Sequence, residues 1–236
     1  MTLQLVATCL FGLEHLLGEE IDALGYKRLS TIDGRVVFEG EEAAVARANL
    51  WLRTAERVYI LVGSFHAASF TELFDGTASL PWEAFIPKNG AFPVKGHSVK
   101  SALFSIPDCQ KIVKKAAATR LSGAYHTAWL PETAEKYQIE FFILKDEASL
   151  MIDTSGTALH KRGYRPQSVP APLRETLAAA MVKLSRPREG VLLHDPFCGS
   201  ATIPIEAAMI GRNIAPGISR SFVSEEWEAN TRHRCH

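Results

Sequence analysis

The sequence lacks net charge, paired cysteines and any apolar run long enough to cross a bilayer, and each lack excludes something. Lys and Arg together number 26, as do Asp and Glu, so overall charge points to no class of partner. The four cysteines, Cys9, Cys109, Cys198 and Cys235, are widely scattered. With no Cys-x-x-Cys pair and no His pair at zinc spacing, no metal site is expected, and scattered free thiols suit a reducing, cytoplasmic setting. No apolar stretch approaches the roughly 18 residues that a membrane span needs. The apolar start, "MTLQLVATCLFGLEHLLGEE", has no basic n-region and runs directly into Glu14, Glu19 and Glu20, which argues against a signal peptide. There is no Pro-Pro pair anywhere in the chain.

What is present is a well-supplied core: 47% of the residues are hydrophobic, enough for one large domain or two small ones. "LQLVATCL" reads as a strand. "GLEHLLGEEIDALG" reads as a helix, with Leu13, Leu16, Leu17, Ile21 and Leu24 at helical spacing and Gly25 as its cap. "GRVVFEG" is a second short strand, and a long amphipathic helix from "EEAAVARANLWL" leads into the strand "RVYILVGSF". The first sixty residues thus read β-α-β-α-β, of the split-βαβ kind. A short helix is expected over Thr71–Leu80 and an extended segment at "FPVKGHSVKSAL". A helix is expected over "PDCQKIVKKAAATRLSG", begun by Pro107 and Asp108 and ended by Gly123. "YQIEFFILKDEASLMIDTSG" reads as a hairpin turning at Lys145–Glu147. "LHKRGYRPQSVPAPL" holds His160, Lys161, Arg162 and Arg165, no acid and three prolines, and reads as a linker. A helix, "LRETLAAAMVKLS", and a strand, "REGVLLHDPF", follow.

The charge is unevenly placed. From Lys88 to Arg120 there are seven basic residues and one acid, Asp108. In the helix that begins near Pro107, Ile112, Val113, Ala116, Ala117 and Leu121 can line one face while Lys111, Lys114 and Lys115 fall on the other. Such a face is either a footprint for a polyanion or a solvated helix surface. Lys100, Lys161, Arg162 and Arg165 are candidate extensions of such a polyanion footprint.

The second informative stretch is "HDPFCGSATIPIEAA". A strand over Val191–Leu193 would end at Asp195, Pro196 would close its ladder, and Gly199 would permit a tight turn and a close backbone approach to a ligand. Pro204 is acceptable in the first turn of the helix that follows, whose free N–H groups suit a carboxylate. A pyrophosphate-binding loop wants Gly-x-Gly-x-x-Gly; this loop has Gly199 followed by Ser200 and Ala201, which argues against a nicotinamide- or flavin-dependent oxidoreductase. A cofactor without phosphates, or a plain strand–turn–helix, is compatible. Cys198 reads as a small buried residue, not a nucleophile, for want of a His or Asp partner.

"DPFCGSAT.PIEAA" resembles the cofactor motif of class I S-adenosylmethionine-dependent RNA methyltransferases that carry an N-terminal THUMP domain. "GLEHLLGEE", "ANLWLRTAERV", "TELFDG", "PWE", "KSALFSIPDCQKIVKKA", "IDTSGTALHKRGYR" and "PLRETLAAAM" extend the likeness over nearly the whole chain. The best match is the bacterial RNA methylase group that includes the large-subunit rRNA guanine-N2 methyltransferase. The resemblance implies an α+β chain with a ferredoxin-like part over 1–60, which the last strand of the next segment can complete, and a THUMP RNA-binding domain over 61–165. It further implies a linker and the start of a Rossmann-like α/β methyltransferase domain over 166–236. It implies S-adenosyl-L-methionine as cofactor, held by Asp195, Pro196, Phe197, Cys198, Gly199 and Ser200 with Thr202 and Glu206 at the first helix. It implies structured RNA, large-subunit rRNA, as partner and as the polyanion of that footprint, without metal or membrane.

Two departures stand out. The family has glycine where this chain has Ala201. The acidic ribose clamp and the Asn/Asp-Pro-Pro-Tyr-like tetrapeptide that binds the target amine have no counterpart, and the family pattern stops after Trp227. The expectation is a truncated or frameshifted methyltransferase, inactive alone, whose catalytic residues this sequence does not assign. The rival expectation is a stand-alone, non-catalytic RNA-binding module.

Overall fold

The structure is a computed structural model that describes residues 2–164, 173–188 and 190–227. In chain order its elements are β1 (Leu3–Cys9), α1 (Glu14–Ala23), β2 (Lys27–Ile32), β3 (Arg35–Gly40), α2 (Glu42–Trp51), β4 (Ala55–His66) and α3 (Phe70–Ser79). These are followed by β5 (Val94–Val99), α4 (Ile106–Ala124), β6 (Ile139–Leu144), β7 (Glu147–Asp153), α5 (Glu175–Leu184) and α6 (Thr202–Gly211). The chain divides into two compact units, one of residues 1–59 with 154–225 and one of residues 60–153 with 226–236.

In the first unit the strand order is β2-β3-β1-β4, and β1 and β2 both run antiparallel to β3. Leu5, Ala7, Leu17, Ile21, Val36, Phe38, Ala48, Leu52 and Val58 are fully buried in its core, where the apolar stripes of α1 and α2 are removed from water. Gly34, with φ +74°, turns the β2–β3 hairpin, a left-handed position that glycine takes without strain. The β-α-β-α-β reading of this region missed β2. That strand forms the end of the ladder and is exposed along nearly its whole length, so no period-two burial pattern marks it; its pairing to β3, with an irregularity between Arg28 and Ser30, defines it.

Polar groups close this unit. Asn49 donates to the Val45 carbonyl at 2.9 Å and to the Thr154 hydroxyl at 2.8 Å, and accepts from the Ser155 hydroxyl at 2.6 Å. Thr154 donates to the Val58 carbonyl, and Ser155 accepts from the Val58 N–H. All three side chains are buried, and a hydrogen-bonded cluster in such a place fixes one arrangement of the chain.

In the second unit the order is β4-β7-β6-β5, with β6 and β7 antiparallel and β5 parallel to β6. The β6–β7 hairpin turns on Lys145 and Asp146, whose φ values of +51° and +65° put both in the left-handed region, the backbone of a two-residue hairpin turn. Ser69 and Glu72 form a reciprocal cap at the start of α3. α4 buries Cys109, Val113, Ala116, Ala117 and Leu121; Ile112 lies only partly inside. Trp82 is fully buried and donates its indole N–H to the Thr77 carbonyl at 2.8 Å. Trp227 stacks on Tyr137 at 4.9 Å between ring centroids.

The expected strand at Val191–Leu193 is not formed. These residues follow no ladder and are 68%, 88% and 39% exposed. A parallel strand is held by neighbours on its two edges, and among the described residues none pairs with this run.

Candidate cofactor loop and nucleic-acid interface

The loop after Leu193 folds as a chain of tight turns. Asp195 accepts the Phe197 N–H at 3.2 Å, a side-chain-capped turn. The Ala201 N–H reaches the Cys198 carbonyl at 2.7 Å, and Gly199 lies at φ +51°. Pro196, Phe197, Cys198 and Gly199 are exposed. A Cβ placed on Gly199 would meet nothing nearer than the Phe197 carbonyl oxygen at 4.0 Å, so the space over the turn is open. Ala201 caps α6 with φ +57° and offers no side-chain acceptor to the helix start. For alanine this left-handed conformation costs about 1–2 kcal/mol, and glycine would relieve it. Cys198, read from the sequence as buried, is exposed.

Thr202 and Glu206 face the other way. Thr202 is 3% and Glu206 0% exposed, while Ile203, Ile205, Met209 and Ile210 on the same helix are half-exposed. Glu206 accepts from the Tyr164 hydroxyl at 3.0 Å and from the Arg162 guanidinium at 3.4 Å. Burial pushes its carboxyl above the ordinary value, and Arg162 and Tyr164 only partly offset that. Glu206 therefore anchors α6 instead of lining the loop, which corrects its assignment to the cofactor. Arg162 is corrected likewise: it is 2% exposed, donates to the carbonyls of Leu159 and Arg53 and pairs with Glu206, so it is closed to RNA. An arginine within a basic, proline-rich segment reads as a surface cation; only tertiary structure shows it turned inward.

Lys161 in the first unit is exposed, and its carbonyl accepts from Arg220 at 3.0 Å. On α4 of the second unit the three lysines differ. Lys111 has a 78% exposed side chain and a loose contact to Asp108 at 3.4 Å. Lys115 is exposed. Lys114 is engaged: its Nζ donates to both oxygens of Glu132, at 2.7 and 2.6 Å, and to the Phe92 carbonyl at 3.1 Å, and it sits 3.5 Å from the Phe92 ring centre. Lys114 is thus a tether of the Glu132 segment and not a free cation. Lys100 is exposed just beyond β5, at φ +50°. Arg165 lies outside the described residues. Among the described residues no group of His, Cys, Asp and Glu could hold a metal ion, and no helix is long and apolar enough to cross a membrane.

Sequence reasoning passed over Glu20. Its carboxylate accepts the N–H groups of Arg53 and Thr54 and the Thr54 hydroxyl, and receives the Lys183 ammonium at 2.8 Å. The signal was available: Glu20 shares the helical stripe of Leu16, Leu17 and Ile21 and is buried with them.

Three family models match the chain: an RlmL ferredoxin-like domain over residues 4–59, a THUMP domain over 67–153, and an RMKL-like methyltransferase domain over 162–236. In chain order the three matches are to a ferredoxin-like, a THUMP and a methyltransferase domain. Among curated relatives, YpsC of Bacillus subtilis (strain 168), provisionally named an RNA methyltransferase, is 52% identical over 227 residues, 95% of this chain and 58% of its own. A solved protein of Listeria monocytogenes str. 4b F2365, described as a predicted N6-adenine-specific DNA methylase, superposes with a TM-score of 0.95 at 52% identity, covering 99% of this chain and 61% of that one. SMU.472, provisionally described as a methyltransferase and solved in complex with SAH, gives 0.91 at 45% identity, covering 98% of this chain and 63% of that one. This chain therefore spans less than two thirds of the length of each of these relatives.

SMU.472 was solved with SAH, so S-adenosylmethionine is the cofactor to test against the loop. The geometry fits one edge of it: an open, exposed turn over Gly199, the Asp195 carboxylate at its entrance, and the uncapped start of α6 directed by a tight turn. A helix start favours a carboxylate through its dipole and backbone N–H groups.

Proposed function

We propose that this chain is the RNA-binding part and first cofactor-binding element of an S-adenosylmethionine-dependent RNA methyltransferase that modifies guanine N2 in large-subunit rRNA. The observation that carries the cofactor assignment is the open turn from Asp195 to Ala201, leading into a helix start without a side-chain cap. When bound, S-adenosylmethionine supplies an electrophilic methyl group. Backbone N–H groups of the turn and of the first turn of α6 would hold its carboxylate, and Asp195 would hold a donor of the cofactor. Lys100, Lys111, Lys115 and Lys161 remain as exposed cations for RNA phosphates; contacts of that kind position a folded RNA through its backbone. RNA as the substrate class is supported by the THUMP match and the name of YpsC; guanine N2 and rRNA rest on the resemblance of the motifs. The buried thiols of Cys9 and Cys109 suit a cytoplasmic setting; burial pushes Cys9 up to about 12.

Transfer also needs the cofactor and the target amine held in near-attack geometry. Val191–Leu193 and Phe197, the last 93% exposed, form an apolar surface that further strands of an α/β sheet would cover, and we infer that the catalytic pocket is completed by such strands. The test is methyl incorporation from labelled S-adenosylmethionine into rRNA by the 236-residue chain and by a version extended to a full α/β domain. Incorporation by the extended protein alone, abolished by Asp195→Ala, is expected. Incorporation by the 236-residue chain would overturn the need for further strands, and an extended, folded protein without activity would overturn the RNA methyltransferase reading. The second reading, a binding module without chemistry, is favoured by the unpaired Val191–Leu193 run and gains support from that last outcome.

A further inference from the structure

The first unit holds an open cleft of about 410 Å³ formed by the end of α1, the last turn of α2 and α5, within the roughly 300–1,000 Å³ typical of small-ligand sites. Glu20, Arg47, Trp51, Arg53, Lys183 and Asn213 line it. One acid faces three cations, and that acid is already taken up by the N–H groups of Arg53 and Thr54 and by Lys183. The surplus is positive. Arg47 is exposed and Trp51 half-buried; one turn apart on α2, they share a face. Arg53 is only 8% exposed, and its Nη2 donates to the Ile214 carbonyl at 2.7 Å. Its Nη1 is buried and has no hydrogen-bond partner. A buried donor left unsatisfied is costly, more so when it carries charge. Arg53 lines the cleft, so an anionic oxygen that reached this buried nitrogen would supply the missing acceptor, with Arg47 and the Glu20-paired Lys183 on the same lining.

We propose that this cleft binds a nucleoside monophosphate unit, its phosphate held by Arg47, Arg53 and Lys183 and its base laid on Trp51. Guanidinium forks match phosphate oxygens, and an indole face accepts any base by stacking. This assignment deepens the RNA reading and rests on it for the source of the nucleotide, a strand of RNA; a free nucleotide has the same chemistry.

The test titrates the 236-residue chain with adenosine 5′-monophosphate and, separately, with a single-stranded RNA hexamer, by calorimetry. Wild type is compared with Arg47→Ala, Trp51→Ala and the α4 double variant Lys111→Ala/Lys115→Ala. Arg47 and Trp51 reach the surface, and circular dichroism verifies that their variants fold. Weakening of at least tenfold in both Arg47→Ala and Trp51→Ala, for either ligand, is the expected result, and the ligand that binds wild type more tightly names the source. If neither ligand is weakened by either variant, or neither binds wild type saturably, the cleft is not a nucleotide site. Hexamer binding lost only in the α4 double variant would refute the cleft while sparing the RNA reading. Monophosphate bound at the cleft, with the hexamer bound by no variant and not by wild type, would sustain the site and refute RNA as its source.

Discussion

Two glutamates of the first unit, Glu56 partly and Glu206 fully buried, carry opposite pH signatures. Burial raises the Glu56 carboxyl, but hydrogen bonds from His160 and Thr176 and the charges of His160 and Arg174 outweigh it, so its pKa falls below the ordinary 4.5. A carboxylate favoured in the folded state stabilises above its unfolded value and loses that contribution as pH falls through the folded one. Glu206 is raised above 4.5 by burial, so its contribution is present below 4.5 and fades as pH rises through the folded value. Glu56→Gln should therefore cost about 1–3 kcal/mol at neutral pH, a deficit that shrinks below pH 4.5. The stability of Glu206→Gln relative to wild type should instead improve as pH rises from 4 to 7. Chemical denaturation across that range checks both, and parallel pH slopes for the two variants would contradict the assignment. The sequence marked Glu206 only as part of the cofactor motif and Glu56 not at all. Their structural roles come from partners in distant parts of the chain, His160 for Glu56 and Arg162 for Glu206.

At the scale of the element, α4 shows how far pattern carries. Its start at Pro107–Asp108, its apolar stripe and its basic face were all legible, because helix periodicity and capping are local. The division of labour among its lysines was not, because Glu132, which holds Lys114, comes from a segment without periodicity. Replacing Lys111 and Lys115 with alanine should reduce the salt slope of RNA binding by about 1.4–1.8, at 0.7–0.9 per phosphate contact. Lys114→Ala should leave the slope unchanged and lower stability by about 1–2 kcal/mol, through the unpaired Glu132 and the lost Phe92 contact. Affinity measured against salt separates these outcomes; a Lys114→Ala slope as reduced as that of the double variant would place Lys114 on the RNA. The same contrast explains β2 and Val191–Leu193. A ladder edge with no buried face leaves no alternation to read, and an apolar run reads as a strand whether or not a neighbour is there to pair with it.

At the scale of the whole molecule, the chain returns to its first unit at Thr154 without a break in composition; two hydroxyls and Asn49 make the junction, 105 and 106 residues apart in sequence. That interruption sets an order of assembly during synthesis. Residues 60–153, the contiguous bulk of the second unit, leave the ribosome together and before the partners of Asn49, Thr154 and Ser155. Domains fold as units as the chain emerges, and long-range closure is the slow step. In refolding followed by pulsed hydrogen exchange, amides of the β6–β7 hairpin should gain protection before those of β1, and the reverse order would contradict this. Residues 1–59 should thus be a nascent segment exposed while its insert folds, and the time for which it must be kept from aggregating is set by the translation of the insert that interrupts it.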